Sequence, residues 1–182
     1  DSGYVPNKQE LHSRILSAIE TYAKSSDINS FGGRLKYSKL VSIIDKVDTG
    51  ITSNITKIVM KRIMIPEYNL LANYEICYGN QFHADMEGFN IRSSAFKLEG
   101  VSGNVYLTDL PYSDGKTGTV KFFTIVDNAI NYINENAGMV DYKKGEIILY
   151  PTTITSSSVN AGIEIEVTPE SNDIIAKESI YI

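Results

Sequence analysis

Met139-Val-Asp-Tyr-Lys-Lys-Gly-Glu-Ile-Ile-Leu149 and, further on, Gly162-Ile-Glu-Ile-Glu-Val-Thr-Pro-Glu-Ser-Asn-Asp173 decide how this chain is read. Each alternates apolar and polar residues around a Gly-containing turn or up to a Pro-bounded end, which is how strands with one buried face are written. A tight turn needs positive φ at or near Gly145. Neither stretch carries a catalytic constellation.

The same strand-like pattern recurs over Leu71–Tyr78, Phe89–Leu98, Val105–Leu110, Thr119–Ile125, Val140–Tyr142, Glu146–Tyr150, Ile163–Val167 and Ile174–Ile182. Polar or Gly-containing turns, such as Tyr112–Gly118 and Thr152–Asn160, separate these runs. One short helical period interrupts them, from Val126 to Asn134, with Val126, Ile130 and Ile133 on one face.

The N-terminal third reads differently. Asn7 is placed to cap a helix and Glu10 to reach back to it, after which Leu11, Ile15, Ile19 and Tyr22 follow at helical spacing. Leu16 and Ala23 widen that stripe. A loop from Asp27 to Gly33 leads to Ser38, the expected cap of a second helix bearing Leu40, Val41, Ile44 and Val47, and Asp48-Thr-Gly50 stops it. From Ile51 to Ile65 the residues are β-branched and alternating, and Pro66 closes the run. Helices first and strands second is the α+β ordering. The expected architecture is two N-terminal helices packed on a strand (domain 1–66), followed by a β-rich antiparallel region (domain 67–182). Its first core is Leu11, Ile15, Ile19, Leu40, Ile44 and Val47 against Ile55, Val59 and Ile63.

With 182 residues, the chain is long enough to bury a core without staples. The 22 acidic and 17 basic residues leave a net charge of −5 with no basic cluster beyond Lys57, Lys61 and Arg62, so no nucleic-acid partner is expected. Cys77 is alone, which excludes an internal disulfide and a cysteine metal cluster and fits a reducing compartment. In the strand-like Tyr74–Tyr78 it reads as a buried, inert thiol. No window approaches the ~20 apolar residues of a membrane span, so no membrane partner is expected. The chain starts Asp1-Ser-Gly, without a leader, and is read as a piece of a longer protein. Twelve Tyr against six Phe and no Trp fit half-exposed surfaces and interfaces, and fit a Tyr-rich β-sheet with no partner as well.

Candidate chemistry fails on inspection. Gly115-Lys-Thr117 ends like a phosphate loop, but Leu110 stands where the first glycine belongs and a strand follows, so a hairpin turn is expected. His12 and His83 are the only histidines, too few for a paired metal site or a triad; His83 with Asp85 and Glu87 reads as a solvated loop. Glu164 and Glu166 share one strand face and could flank a glycosidic bond, though acids facing water opposite an apolar core face are the ordinary case. Asp109 and Asp114 read as turn residues. No catalytic, cofactor-binding or metal-binding residue is assigned, and no cofactor is expected.

Two stretches carry a resemblance. Leu16 to Met64 runs helix, loop, Ser-capped helix and strand around Tyr37-Ser-Lys-Leu-Val-Ser-Ile-Ile-Asp-Lys-Val47. The second is the ordered series Ile91–Phe96, Val105–Asp109, Gly118–Lys121, Gly138–Tyr142, Gly145–Ile147 and Val167–Asp173. Together they resemble the C-terminal part of a baseplate wedge protein of contractile-tailed phages of the T-even type, with a baseplate-J-like first stretch. The resemblance implies a non-enzymatic structural virion protein, located in the tail baseplate and assembled in the host cytoplasm. It further implies a subunit that self-associates as a homodimer and in a ring around the tail hub, bearing other wedge proteins. The alternatives from the residues are a polysaccharide-binding β-domain of a tail or cell-surface protein, and a glycosidase using Glu164 or Glu166.

Overall fold

The computed structural model describes residues 7–159 and 162–175. Its elements in chain order are α1 (Lys8–Ala23), β1 (Arg34–Leu35), α2 (Tyr37–Asp45), β2 (Met60–Met64), β3 (Leu71–Cys77) and β4 (Ile91–Ser93). They continue with β5 (Phe96–Leu98), β6 (Val105–Pro111), β7 (Thr117–Val126), β8 (Ala129–Asp141), β9 (Glu146–Ser157), β10 (Ile163–Val167) and β11 (Ile174–Ile175). They fall into two compact units. One is drawn from the described parts of Asp1–Lys57 and Asn172–Ile182, the other from Ile58–Ser171.

In the helical unit α1 packs on α2, and β1 pairs antiparallel with β11. The Asn7 carboxamide accepts from the Gln9 amide at 3.2 Å, satisfying one of the orphan donors of the first turn of α1. Tyr22 is buried at the far end, where its hydroxyl accepts from the Lys36 amide at 3.1 Å. Ser38 is not the cap of α2. It lies within the helix, and the Tyr37 amide donates instead to Asp173 Oδ1 at 2.8 Å, a long-range partner that local sequence cannot announce.

The second unit is built entirely of strands. A three-stranded antiparallel sheet has the order β2-β10-β4, and a six-stranded sheet the order β3-β9-β5-β6-β7-β8. Because β9 pairs with β8 as well as with β5, strands β5 to β9 close into a five-stranded barrel. Ile163, Ile165 and Val167 turn inward from β10 while Glu164 and Glu166 turn out, the period-2 pattern of a half-buried strand. These three residues, with Ile91, join Phe96, Leu107, Phe122, Val140, Ile147 and Ile154 in one continuous core. Where β8 passes β9, Gly138 is forced by proximity, since a Cβ there would lie 2.2 Å from the Ile148 carbonyl oxygen.

A buried polar knot ties the sheets together. Asp109 on β6 accepts from the Ile91 amide at 2.8 Å through Oδ1 and from the Tyr142 hydroxyl at 2.6 Å through Oδ2. Burial raises the Asp109 pKa above its ordinary value, and these donors only partly offset the effect. Burial, followed by the adjacent carboxylate, also raises that of Tyr142. Asp109 is therefore no turn residue. Asp114 is one, its carboxylate accepting from the Lys116 amide at 2.9 Å.

The α+β expectation is overturned. Strand accounts for 44% and helix for 15%, so the protein is mostly β with a barrel and two helices, not helices laid on a strand with a β-rich region only afterwards. Strand β2, expected to receive the helices, pairs with β10 some hundred positions later, and its Ile63 is 48% exposed. Ile55 is fully exposed in a stretch without strand, and Val59 is exposed too. Alternation marks an extended chain but does not name its partner. The expected helix at Val126–Asn134 is a hairpin: Asp127 and Asn128 adopt φ of 50° and 63°, the two-residue turn that joins β7 to β8. The expected loop at Thr152–Asn160 is strand as far as Ser157. Of the strand expected at 174–182, Ile174–Ile175 is present and the rest lies outside the described residues.

The knot gives two testable outcomes. Tyr142→Phe removes a buried donor and is expected to cost about 1–3 kcal/mol in urea unfolding. The folded pKa of Asp109 lies above its unfolded value near 3.8, so its contribution to stability is full below that value and is lost as pH rises through the folded one. Asp109→Asn is expected to flatten this acid-side slope, and an unchanged slope in the variant would refute the assignment.

Candidate functional site

Beyond the barrel, the ends of β7 and β8 run on as an exposed two-stranded arm. From Ala129 to Asn136 every β8 residue is exposed, Ile130, Tyr132 and Ile133 among them. Ile125 is 55% exposed, Ile130 47% and Tyr132 39%, with Val126 and Ile133 also exposed. The pairs Ile125↔Ile130 and Phe123↔Tyr132 place three of these side chains on one face, beside the buried Phe123.

At the arm's root this face continues into an aromatic cluster. The Phe123 ring stacks on Tyr106 with centroids 5.5 Å apart and meets Phe89 and Tyr132 edge-on at 6.0 and 6.3 Å. Lys121 Nζ lies 4.8 Å from the Tyr132 ring and 2.8 Å from Glu135 Oε2, so its charge is held flat against the patch. Phe89 reaches the cluster from a backbone of φ 62°, unusual for a bulky residue. Its amide bonds to the Asp109 carbonyl at 3.3 Å, and Gly88 packs so closely there that a Cβ would lie 2.4 Å from the same oxygen. This apolar face is the candidate site of the β unit.

The residues tested for chemistry are occupied elsewhere. Glu164 and Glu166 both bind Lys61, at 2.9 and 3.0 Å, an arrangement that raises the Lys61 pKa through those two hydrogen bonds. Arg62 turns to the other face of β2, over the Tyr78 ring. Gly115-Lys-Thr117 forms the β6–β7 hairpin turn. His83 Nδ1 lies 3.1 Å from Glu170 Oε2, and His12 is exposed on α1. Cys77 is exposed, not buried as the strand pattern suggested; desolvation of the thiol and then Glu75 and Glu146 raise its pKa. Its sulfur and those two carboxylates come within 4.8 Å of one another.

An open hollow of about 590 Å³ lies between α1 and α2. Its two cations are committed, Arg14 to Asp48 at 2.9 Å and Lys39 to Asp27. Among the described residues no helix is long and apolar enough to cross a membrane. The arm is the site that sequence reasoning missed as a surface, because its apolar residues were read as a helix face. The signal available was the β-branched, charge-free run Ile130 to Asn134 beside Asp-Asn.

Residues 4–63 match the family described as baseplate structural protein gp6, C-terminal domain III. No curated protein matches the chain. The matched part covers the first stretch of the resemblance as far as Ile63, while Ile91–Asp173 lies outside it. The match supports a phage baseplate structural role and a place in the virion, and the matched family is a structural one.

The arm yields a direct expectation. Replacing Ile125 and Ile130 by Ser removes exposed apolar surface without opening a cavity, so the unfolding free energy is expected to change by no more than the roughly 0.5 kcal/mol per position typical of surface changes. Binding of a hydrophobic dye is expected to fall. A large loss of stability would show that these side chains are packed and not displayed.

Proposed function

We propose that this chain is part of a baseplate wedge subunit that self-associates into a ring around the tail hub and bears neighbouring baseplate proteins. The observation that carries the reading is the match over residues 4–63. The projecting apolar arm supports it, since a subunit whose work is to be covered by other subunits displays such a surface. On this reading the protein has no catalytic role, binds no cofactor and assembles in the host cytoplasm.

Ring closure through repeated contacts needs two surfaces per copy, or one two-fold contact and a second one. The chain is therefore expected to be dimeric at micromolar concentration. Sedimentation over a concentration series checks this. A strict monomer up to roughly millimolar, the weak end of the affinity scale, would contradict it.

A further inference from the structure

The self-association proposed above leaves its surface unnamed, and the backbone of β8 supplies one. Among the described residues, β8 pairs with β9 only from Gly138 to Asp141, so from Ala129 to Asn134 its second edge has no strand beside it. The hairpin fixes which groups that edge presents. In a two-residue turn the closing pair, Val126↔Ala129, exchanges both hydrogen bonds. Alternation then makes Ile125↔Ile130 a non-bonded pair, Thr124↔Asn131 a bonded one and Phe123↔Tyr132 non-bonded. The amides and carbonyls of Ile130 and Tyr132 accordingly point away from β7, into the open edge.

We propose that this edge pairs antiparallel with the same edge of a second copy, about a two-fold axis at Asn131. Ile130 then faces Tyr132 of the second copy, and Tyr132 faces Ile130, which satisfies all four outward donors and acceptors of each strand. A shift of two residues towards Asn134 carries the pairing past the register irregularity between Phe122 and Phe123, and one in the other direction carries it into the turn. The centred register alone pairs the two outward residues with each other.

Composition agrees with a partner identical to itself. No Asp, Glu, Lys, Arg or His lies between Ala129 and Asn134, so two copies approach without like charges meeting along the paired run. Past its end, Asp127 comes opposite Glu135 of the second copy, where Lys121, 2.8 Å from Glu135, supplies the cation. The apolar faces Phe123, Ile125, Ile130 and Tyr132 of both copies merge into one. The occupant is a second copy, whose identical strand places Ile130 against Tyr132 at both ends of the contact.

The test is disulfide trapping in a Cys77→Ser background. Asn131 meets its own counterpart as a non-bonded pair, with Cα atoms about 4.5 Å apart and within disulfide reach. Asn134 lies three residues off the axis, so its two copies are about 20 Å apart. Under mild oxidation at micromolar concentration, Asn131→Cys is expected to form a covalent dimer at least roughly tenfold faster than Asn134→Cys, the advantage of a preformed encounter. Equal rates in a chain that sediments as a dimer would overturn this surface and leave the proposed function standing. Equal rates in a strict monomer would overturn both.

Discussion

Asp109 stands at the junction of everything else in the β unit. Its carboxylate holds β4 through the Ile91 amide and the β8–β9 turn through the Tyr142 hydroxyl. A buried carboxyl is costly unless each oxygen finds a donor, so the closed barrel is specified by where these donors lie as much as by apolar packing. The main chain of the same residue does a second job. The Asp109 carbonyl receives the Phe89 amide while Gly88 lies against it, which fixes the left-handed Phe89 and sets its ring over Phe123. One residue thus couples the interior to the root of the exposed aromatic face.

The arm built on that root poses the usual difficulty of an open strand edge. Natural sheets blunt such edges with charge, proline or bulges. Here the register irregularities fall at the root, between Val120 and Phe123, and the tip carries no charge from Ala129 to Asn134. On the proposed reading a second copy pairs with this edge beside Ile125, Ile130 and Tyr132. The rest of the surface tells a quieter story: Lys61 between Glu164 and Glu166 is an exposed network whose contribution to stability is small.

What the sequence made legible follows the range of the interactions involved. The alternation at Ile163–Val167 and the turn at Asp114–Gly115 are written within a few residues, and both are found in the structure. Barrel closure depends on β9 meeting two strands at once, and the partner of β2 is about a hundred residues away, so neither leaves a local trace. Val126, Ile130 and Ile133 fit a helical period and a hairpin equally well. The positive φ of Asp127 and Asn128 decides between them, and Asp-Asn tolerates that conformation less conspicuously than Asn-Gly announces it. The Asp109 knot was invisible because its donors come from a distant amide and a distant hydroxyl.

Residue-resolved hydrogen exchange at two protein concentrations tests the central claim, that an inner barrel locked at Asp109 presents an arm whose edge is completed by another copy. The Ile91 amide is expected to exchange only through global unfolding at both concentrations. The Ile130 and Tyr132 amides are expected to exchange fast in dilute solution and to become protected as concentration rises. An Ile91 amide as labile as the arm, or arm amides indifferent to concentration across the range in which the chain associates, would contradict the account.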